Sequence, residues 1–293
     1  MWLVSRNPFS FRKQGSLLGP CACIIMILEL LEYLMTPCPA AIRSMGFLSS
    51  AIKVRARYRR CKRAWSPHIE QTRRIVLEAV NRCRGRRKVV VLGAGLLHDI
   101  PLKELSQTFG KVLLVDIVHP LSSRLSTLRF RNVEQISYDV TEVMGQLRHI
   151  AHLPGRPLPI SRPMKFLDDR ELDLTLSVNL LSQLPQVPAE YLYGFRDEAT
   201  IDTFRKHLIE AHLDYLCHLP GHTALITDVT VRRMTGSGMY AEEWDALHGV
   251  KLPPAESSWE WHLAPSPEVA SGMDLSTTVV AYADWKKAAG PPK

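Results

Sequence analysis

The stretch VVVLGAGLLHDIP, residues 89–101, decides the fold. Its four leading apolar residues, three of them β-branched, predict a strand that is buried on both faces, as in a parallel sheet. Gly93 and Gly95 follow at once, and glycine lets the backbone turn sharply and lets a ligand approach the main chain. The residues after them predict a helix, whose first turn offers free N–H groups. Strand, glycine turn and helix in this order favour a nucleotide-like cofactor at the carboxyl edge of a sheet.

A second buried strand is predicted over Lys111 to Asp116 and ends in a carboxylate. Asp116 lies 23 residues after Gly93, close to the ~20-residue spacing of the acid that binds ribose hydroxyls. A carboxylate only accepts hydrogen bonds and a ribose diol donates two, so the groups suit each other. A lone Gly-x-Gly also occurs in structural turns, and the acid at this spacing is what favours a cofactor site.

Length and composition are typical of a folded soluble protein. A chain of 293 residues can form one large α/β domain with appendages. The hydrophobic share of 46% and the charged share of 23% are ordinary for such a protein. The six cysteines lack metal-binding spacing, apart from Cys21 and Cys23 in an apolar run, and predict reduced thiols in a cytoplasmic protein without a metal site.

The positive charge lies in one segment. Residues 51–88 contain fourteen Lys or Arg and two Glu, a net charge of +12, and residues 1–50 add +2, so the net charge of +8 for the whole chain leaves residues 89–293 with −6. Clustered basic side chains are suited to nucleic acid phosphates. No recognised nucleic-acid motif accompanies them and aromatic residues are sparse. A solvated face with arginine stems packed on the domain is therefore the favoured interpretation.

Residues 1–50 are predicted to be a poorly ordered extension, or one that touches a membrane through residues 17–36. The apolar run 17–28 follows basic residues, as in a secretory signal, but Pro20 interrupts it and two glutamates follow. The run is too short for a spanning helix. A start of translation at Met45 is a third interpretation.

A basic helical segment is predicted over residues 51–85. Apolar side chains recur at helical intervals in its first half. Ser66 and Pro67 then suit the cap and the first turn of a second helix, which is expected to end near Val80.

Beyond Asp116, strand and helix patterns alternate. Helices are predicted over 120–130, 141–150 and 200–216, and strands over 132–139, 172–178 and 223–231. A short helix is predicted around Trp244 and Leu247. Two further strands, 258–263 and 276–282, are joined by about a dozen residues, too few for a crossover helix, so they are expected to pair antiparallel.

This layout resembles that of the class I S-adenosylmethionine-dependent methyltransferases, over residues 86–285. The resemblance implies an α/β, three-layer Rossmann-like fold. Its seven-stranded, mostly parallel sheet would have an antiparallel terminal strand, with N-terminal helices before it and a tail at 286–293. The resemblance also implies S-adenosyl-L-methionine as the cofactor and methyl transfer as the reaction.

The resemblance further implies roles for individual residues. The glycine loop would lie beneath the cofactor, Asp116 would bind its ribose, and Asp139 would accept from the exocyclic amine of its adenine. The implied cofactor-binding residues are Gly93, Ala94, Gly95, Asp116, Ile117, Asp139, Val140 and Asn179.

Two positions depart from the pattern of that family. Val91 stands where an acid is usual, and Leu96 with Leu97 stand where a further glycine is common. The methionine amine of the cofactor must then find another partner, for which His98 and Asp99 are the nearest candidates.

His98 and Asn179 are the candidate catalytic residues. A methyl acceptor with an acidic proton needs a base, and His98 has an unperturbed pKa near neutrality. Asn179 follows the fourth predicted strand and would position the reacting groups. Both residues also fit structural roles, His98 as a polar residue at a strand edge and Asn179 in a turn.

Two other functions stay open. An NAD(P)-dependent oxidoreductase would use the same strand and glycine turn, but its fingerprint requires a small residue where His98 stands. The terminal hairpin also argues against it. A non-catalytic cofactor-binding module would act through the basic helices. The methyl acceptor, a small molecule or a macromolecule, is not identified by the sequence.

Overall fold

The computed structural model describes residues 29–235 and 240–290. Within these ranges the strands are β1 Lys88–Leu92, β2 Lys111–Asp116, β3 Val133–Ser137, β4 Leu172–Val178, β5 His222–Thr235, β6 Tyr240–Asp245, β7 Ser257–Ala264 and β8 Met273–Tyr282. They form one sheet in the order β3-β2-β1-β4-β5-β8-β7, and β6 pairs with β5.

The helices of the described ranges surround this sheet. They are α1 (residues 29–35), α2 (Ala40–Ser44), α3 (Phe47–Arg82), α4 (Leu102–Thr108), α5 (Leu121–Thr127), α6 (Met144–Ile150), α7 (Gln186–Leu192), α8 (Glu198–His218) and α9 (Trp285–Ala289), with a 3-10 turn at Leu181–Gln183. None of them combines the length and the apolar character that crossing a membrane requires.

Strand direction follows the prediction. β1 to β5 pair in parallel, whereas β8 runs antiparallel to both β5 and β7. Residues 258–263 and 276–282 therefore pair as expected, and the mostly parallel sheet with an antiparallel end is confirmed.

Helices cover both faces of the sheet. Val89 and Val91 of β1 pack in one core with side chains of α3 and α4, whereas Val90 and Leu92 pack in a second core with side chains of α8 and α9. Each of these four side chains is at most 1% exposed. The unbroken apolar run of β1 is thus buried on both sides, and the three-layer arrangement is confirmed.

The sheet has eight described strands rather than the predicted seven. The short helix predicted around Trp244 and Leu247 is wrong, because residues 240–245 form β6. β5 is fourteen residues long and pairs with β4 only up to Ile226. Its remaining backbone groups, from Thr230 onward, are therefore free to pair with β6 in antiparallel register.

The basic segment forms α3, an element of 36 residues in which two helical stretches meet at a kink at Cys61 rather than at Pro67. The prediction that Ser66 and Pro67 begin a second helix is wrong. Pro67 lies inside α3, where it removes one backbone hydrogen bond, and buried side chains on both sides of it, including Trp65 and His68, hold the helix against the domain. The departure from helical geometry lies at Cys61, with φ −102° and ψ 18°.

The N-terminal extension predicted at residues 1–50 is described only in part. Residues 1–28, with the apolar run, lie outside the described residues. Residues 29–35 and α2 are helical, and α3 begins at Phe47 rather than near residue 51.

No helix begins at the glycine turn. Residues 93–101 form an irregular loop, and α4 starts only at Leu102. The predicted helix directly after Gly95 is therefore wrong. Leu97 has a left-handed φ of 61°, and Pro101 disfavours helical backbone in the residue before it, so a helix cannot propagate before Leu102.

Trp65 tethers α3 to the sheet. Its Nε1 donates to the carbonyl of Leu263 at 2.9 Å, next to an irregularity in the β7–β8 pairing. We expect Trp65→Phe to lower the free energy of unfolding by ~1–3 kcal/mol, because the Leu263 carbonyl loses a partner at a buried site. Urea denaturation measures this change.

The matched control is Trp261→Phe. Nε1 of Trp261 is buried with no partner among the described residues, so this substitution removes no hydrogen bond. Equal destabilisation by both substitutions would contradict the role assigned to the Trp65–Leu263 bond.

Candidate functional site

A cavity of about 1330 Å³ of empty space opens at the carboxyl ends of β1 to β4. Its floor is the loop after β1 and the residues that follow β2, β3 and β4. The inner face of α3 lies across it and contributes Phe47, Val54, His68 and Ile69. The helix predicted as a basic surface element therefore also forms one wall of the site.

Both loop positions require glycine, because neighbouring atoms lie too close to the main chain to leave room for a side chain. Gly93 has φ +86°, and a Cβ there would lie 2.7 Å from the carbonyl oxygen of Val178. A Cβ on Gly95 would lie 3.0 Å from Oδ2 of Asp116. Both glycines line the cavity, so a ligand meets the main chain directly. Ala94 between them points elsewhere, because it is fully buried in the core beneath α3 and α4.

Asp116 lies at the end of β2 and faces the glycine loop. Its Oδ1 lies 3.4 Å from the backbone N–H of Val118, and the backbone N–H groups of Gly95 and Ile117 also face the carboxylate. Burial raises the pKa of the Asp116 carboxyl, and the neighbouring His119 opposes this shift. Asp116 and Ile117 both line the cavity, as the resemblance implies.

Asp139 and Val140 also line the cavity, but the Asp139 carboxylate has local partners. It accepts from the backbone N–H and the hydroxyl of Thr141, at 2.9 Å and 2.5 Å, and from the N–H of Met144 at 2.8 Å. Asp139 therefore organises the turn into α6. Binding of an adenine amine would have to share its oxygens with these donors.

His98 lines the cavity with its ring stacked on Tyr58, at 3.6 Å between centroids and 18° between planes. Burial, together with the charges of Arg55, Arg73 and Lys62, lowers the pKa of His98 to about 4. The ring is therefore neutral at pH 7, and a base with so low a pKa is weak. The role of His98 as a general base stays a prediction.

A hydrogen-bonded chain that the sequence did not predict runs beside the glycine loop. Nε1 of Trp259 donates to Nδ1 of His68 at 3.2 Å, and the His68 ring stacks on Trp261 at 3.9 Å. Nε2 of His68 faces the side-chain amide of Asn179 at 3.1 Å. The same amide lies 2.7 Å from Oδ2 of Asp99. The sequence pattern Trp-Glu-Trp in β7 places both indoles on one face of the strand, and it is the one feature of the local sequence that points to these hydrogen bonds.

The indole of Trp259 fixes the protonation of His68. Burial lowers the pKa of His68 to about 3, so the ring is neutral. An indole N–H is only a donor, so Nδ1 of His68 must be unprotonated and Nε2 must carry the proton. Nε2–H then needs an acceptor on Asn179.

The Asn179 amide supplies this acceptor if its oxygen and nitrogen are exchanged by a 180° rotation. Its Nδ2 is the atom near both His68 and Asp99, and its Oδ1 is buried with no partner among the described residues. The amide rotated by 180° lets Oδ1 accept from His68, and Asp99 then donates to it as a neutral acid. Burial raises the pKa of Asp99, which favours this neutral form. Asn179 has a left-handed φ of 49°, which aims its side chain at the loop.

The structure thus brings together all of the predicted site residues except Ala94. Gly93, Gly95, His98, Asp99, Asp116, Ile117, Asp139, Val140 and Asn179 all line one cavity. Ala94 does not line it, whereas His68 and Trp261 do, although the sequence did not point to them.

Comparisons with known proteins find likeness in structure only. No protein-family profile matches the sequence, and no curated protein matches it. A 1,6-didemethyltoxoflavin-N1-methyltransferase of Burkholderia thailandensis, with bound S-adenosylhomocysteine, is 16% identical with a TM-score of 0.39, covering 93% of this chain and 94% of its own. The complex of DhpI with S-adenosylhomocysteine is 15% identical with a TM-score of 0.34, over 78% and 93%.

The N-methyltransferase NodS of Bradyrhizobium japonicum, also with S-adenosylhomocysteine, is 9% identical with a TM-score of 0.33. This match covers 72% of the present chain and 85% of NodS. Because all three scores are low, the site is interpreted from its own residues.

Proposed function

We propose that the chain binds S-adenosyl-L-methionine in this cavity and transfers its methyl group to an acceptor. One observation carries the proposal. The glycine loop passes so close to Asp116 that a Cβ on Gly95 would meet the carboxylate at 3.0 Å. Bare main chain and a buried carboxylate that has no side-chain donor among the described residues therefore face the same cavity, as a nucleoside with a ribose diol requires.

The residues of the cavity fit the parts of this cofactor. Asp116 would accept from the ribose hydroxyls, and Ile117 and Val140 offer apolar contacts for the adenine. Asp99 is the carboxyl group of the loop that takes the place of the acid missing at Val91, and it would hold the methionine ammonium. The unpartnered end of the Asn179 amide is a further polar group for the ligand.

When bound, the cofactor supplies an electrophilic methyl carbon: a bond to the acceptor atom forms, the C–S electron pair stays on sulfur, and the acceptor gives up a proton. The protein contributes mainly alignment and exclusion of water. α3 supplies the latter, because its inner face closes one side of the cavity. His98 lines the cavity and is neutral at pH 7, so it would accept the proton of an acceptor only as a weak base.

An NAD(P)-dependent oxidoreductase fits the site less well. An NAD(P) pyrophosphate needs the N–H groups of a helix that starts at the glycine turn, and here α4 starts seven residues after Gly95. A non-catalytic module would bind the same cofactor in the same cavity, and binding without turnover would identify it.

Isothermal titration calorimetry with S-adenosylhomocysteine and with NADH tests the proposal. We expect binding of S-adenosylhomocysteine and none of NADH. Gly95→Ala should weaken this binding by at least tenfold, because the new methyl group occupies the narrow space beside Asp116.

Gly145→Ala is the matched control. A Cβ at Gly145 meets nothing within 4 Å, so affinity should stay unchanged. Binding of NADH instead, or equal effects of the two substitutions, would contradict the proposal.

The protonation of Asp99 makes binding depend on pH. The raised pKa keeps Asp99 neutral in the free protein at low pH, whereas an ammonium ion favours the carboxylate. We expect affinity for S-adenosylhomocysteine to rise as pH increases from 5 to 8, with release of protons at the lower end. Calorimetry in two buffers of different ionisation enthalpy measures this release.

Asp99→Asn separates the contribution of Asp99 to this pH dependence from that of Asp116. The pKa of Asp116 is also raised, so Asp116 would likewise strengthen binding as pH rises. The variant should bind more weakly and show a flatter pH dependence. Proton uptake on binding, or an unchanged pH profile in Asp99→Asn, would contradict the assignment of Asp99 to the ammonium.

A further inference from the structure

A second cavity adjoins the first. It holds about 1100 Å³ of empty space and shares Leu96 and His98 with the candidate cofactor cavity. Four basic side chains line it, and Glu104 is the one acidic residue of its described lining. The basic ones are Arg55, Arg73, Lys103 and Arg129. We call this cavity the basic groove.

Most of this positive charge is not neutralised by carboxylates. Arg55 pairs with Glu32. Arg73 instead donates to the backbone carbonyl of His98 at 2.8 Å. Lys103 and Arg129 are exposed and have no ion pair within the described residues, where Arg129 lies over the ring of Phe130. The groove therefore retains a net positive charge, to which the basic segment contributes Arg55 and Arg73 and the otherwise acidic residues 89–293 contribute Lys103 and Arg129.

The outer side of α3 extends the groove. Lys62 and Arg73 are eleven residues apart, close to three helical turns, so they lie along one side of the helix beyond the kink at Cys61, and Arg55 lies before that kink. All three are close enough to His98 to lower its pKa. From Lys62 to Arg73 the row covers about 17 Å along the helix axis.

We propose that the basic groove binds the phosphate backbone of a single nucleic-acid strand and brings the nucleotide to be methylated to His98. The proposal deepens the proposed function and rests on it, since it names the class of methyl acceptor. A row of cations at helical intervals matches a polymer with regularly spaced phosphates. The His98 ring, which lines both cavities and stacks on Tyr58, adds an aromatic surface at the junction, and single-strand sites commonly combine aromatic rings with basic grooves.

A membrane surface fits these observations less well. The cations line a concave groove, which a planar array of headgroups cannot enter, whereas a strand can. An acidic protein segment would need carboxylates at matching intervals along its sequence. A polynucleotide has phosphates at regular intervals whatever its sequence.

The test is fluorescence anisotropy with labelled 12-nucleotide RNA and DNA strands and the full chain, between 50 and 300 mM NaCl. Contacts from the four cations that have no carboxylate partner within the described ranges, Lys62, Arg73, Lys103 and Arg129, predict a slope of log K against log salt of about −2.8. The triple variant Lys62→Gln, Lys103→Gln, Arg129→Gln should reduce the slope to about −0.7 and weaken binding about 100-fold near 0.1 M salt.

The matched control is the triple variant Arg148→Gln, Arg162→Gln, Arg170→Gln, which removes the same charge from exposed positions outside the groove. It should keep the wild-type slope and affinity. Equal losses in both variants, binding that is indifferent to salt, or binding to phosphatidylserine vesicles without binding to either strand would overturn the proposal.

Calorimetry with S-adenosylhomocysteine separates this inference from the proposed function. None of the three substituted groove residues lines the cofactor cavity, so the variant should bind S-adenosylhomocysteine as the wild type does. Failure of the wild type to bind it would refute the cofactor assignment. If the wild type binds S-adenosylhomocysteine but shows no salt-dependent binding of either strand, only the proposed class of methyl acceptor is refuted.

Discussion

The parallel pairing of β1 between β2 and β4 is the constraint on which the site depends. The register aligns Leu92 with Val115 on one side and with Ser177 on the other. All three strands therefore end at the same level. The loop that leaves β1 must then pass between the residues that follow its neighbours, and the N–H of Gly93 bonds to the carbonyl of Val115 at 3.0 Å. A side chain in this passage would collide with Val178 or Asp116.

The position of α3 is the second constraint. Its apolar face extends from Leu48 to Val80, packs on the sheet and includes the Trp65–Leu263 bond, while its opposite side carries Lys and Arg. One helix therefore separates two cavities of opposite character. The cavity beneath it holds the glycine loop and Asp99, and the groove beside it is basic. His98 lies between them, neutral at pH 7 because burial and the nearby cations disfavour its protonated form.

The sequence predicted well what depends on neighbours along the chain. A buried strand, two glycines and an acid at the right spacing sufficed to place Gly93, Gly95 and Asp116 at one edge. The errors concern competition between local preference and tertiary packing. Pro67 favours a helix start in isolation, but the buried face of α3 continues through it. The segment at Trp244 pairs with β5 because that strand extends past its parallel neighbour.

The series of hydrogen bonds from Trp259 to Asp99 could not be predicted, since each bond joins residues that are 80 to 191 positions apart in sequence. Only the fold brings β7, α3, the end of β4 and the glycine loop together. His68 is an ordinary helix residue by pattern, and its neutral, Nε2-protonated state follows only from the indole that faces Nδ1. Equally, the resemblance implied a contact from Ala94, but the direction of its side chain into the core depends on the turn geometry.

A crystal structure of the chain grown with S-adenosylhomocysteine would show whether the cofactor occupies this cavity. We expect the ribose hydroxyls within hydrogen-bond distance of Asp116, the methionine amine beside Asp99, and the nucleoside lying against the main chain of residues 93–95. Electron density for the ligand at another place, or a ribose turned away from Asp116, would contradict the cofactor assignment.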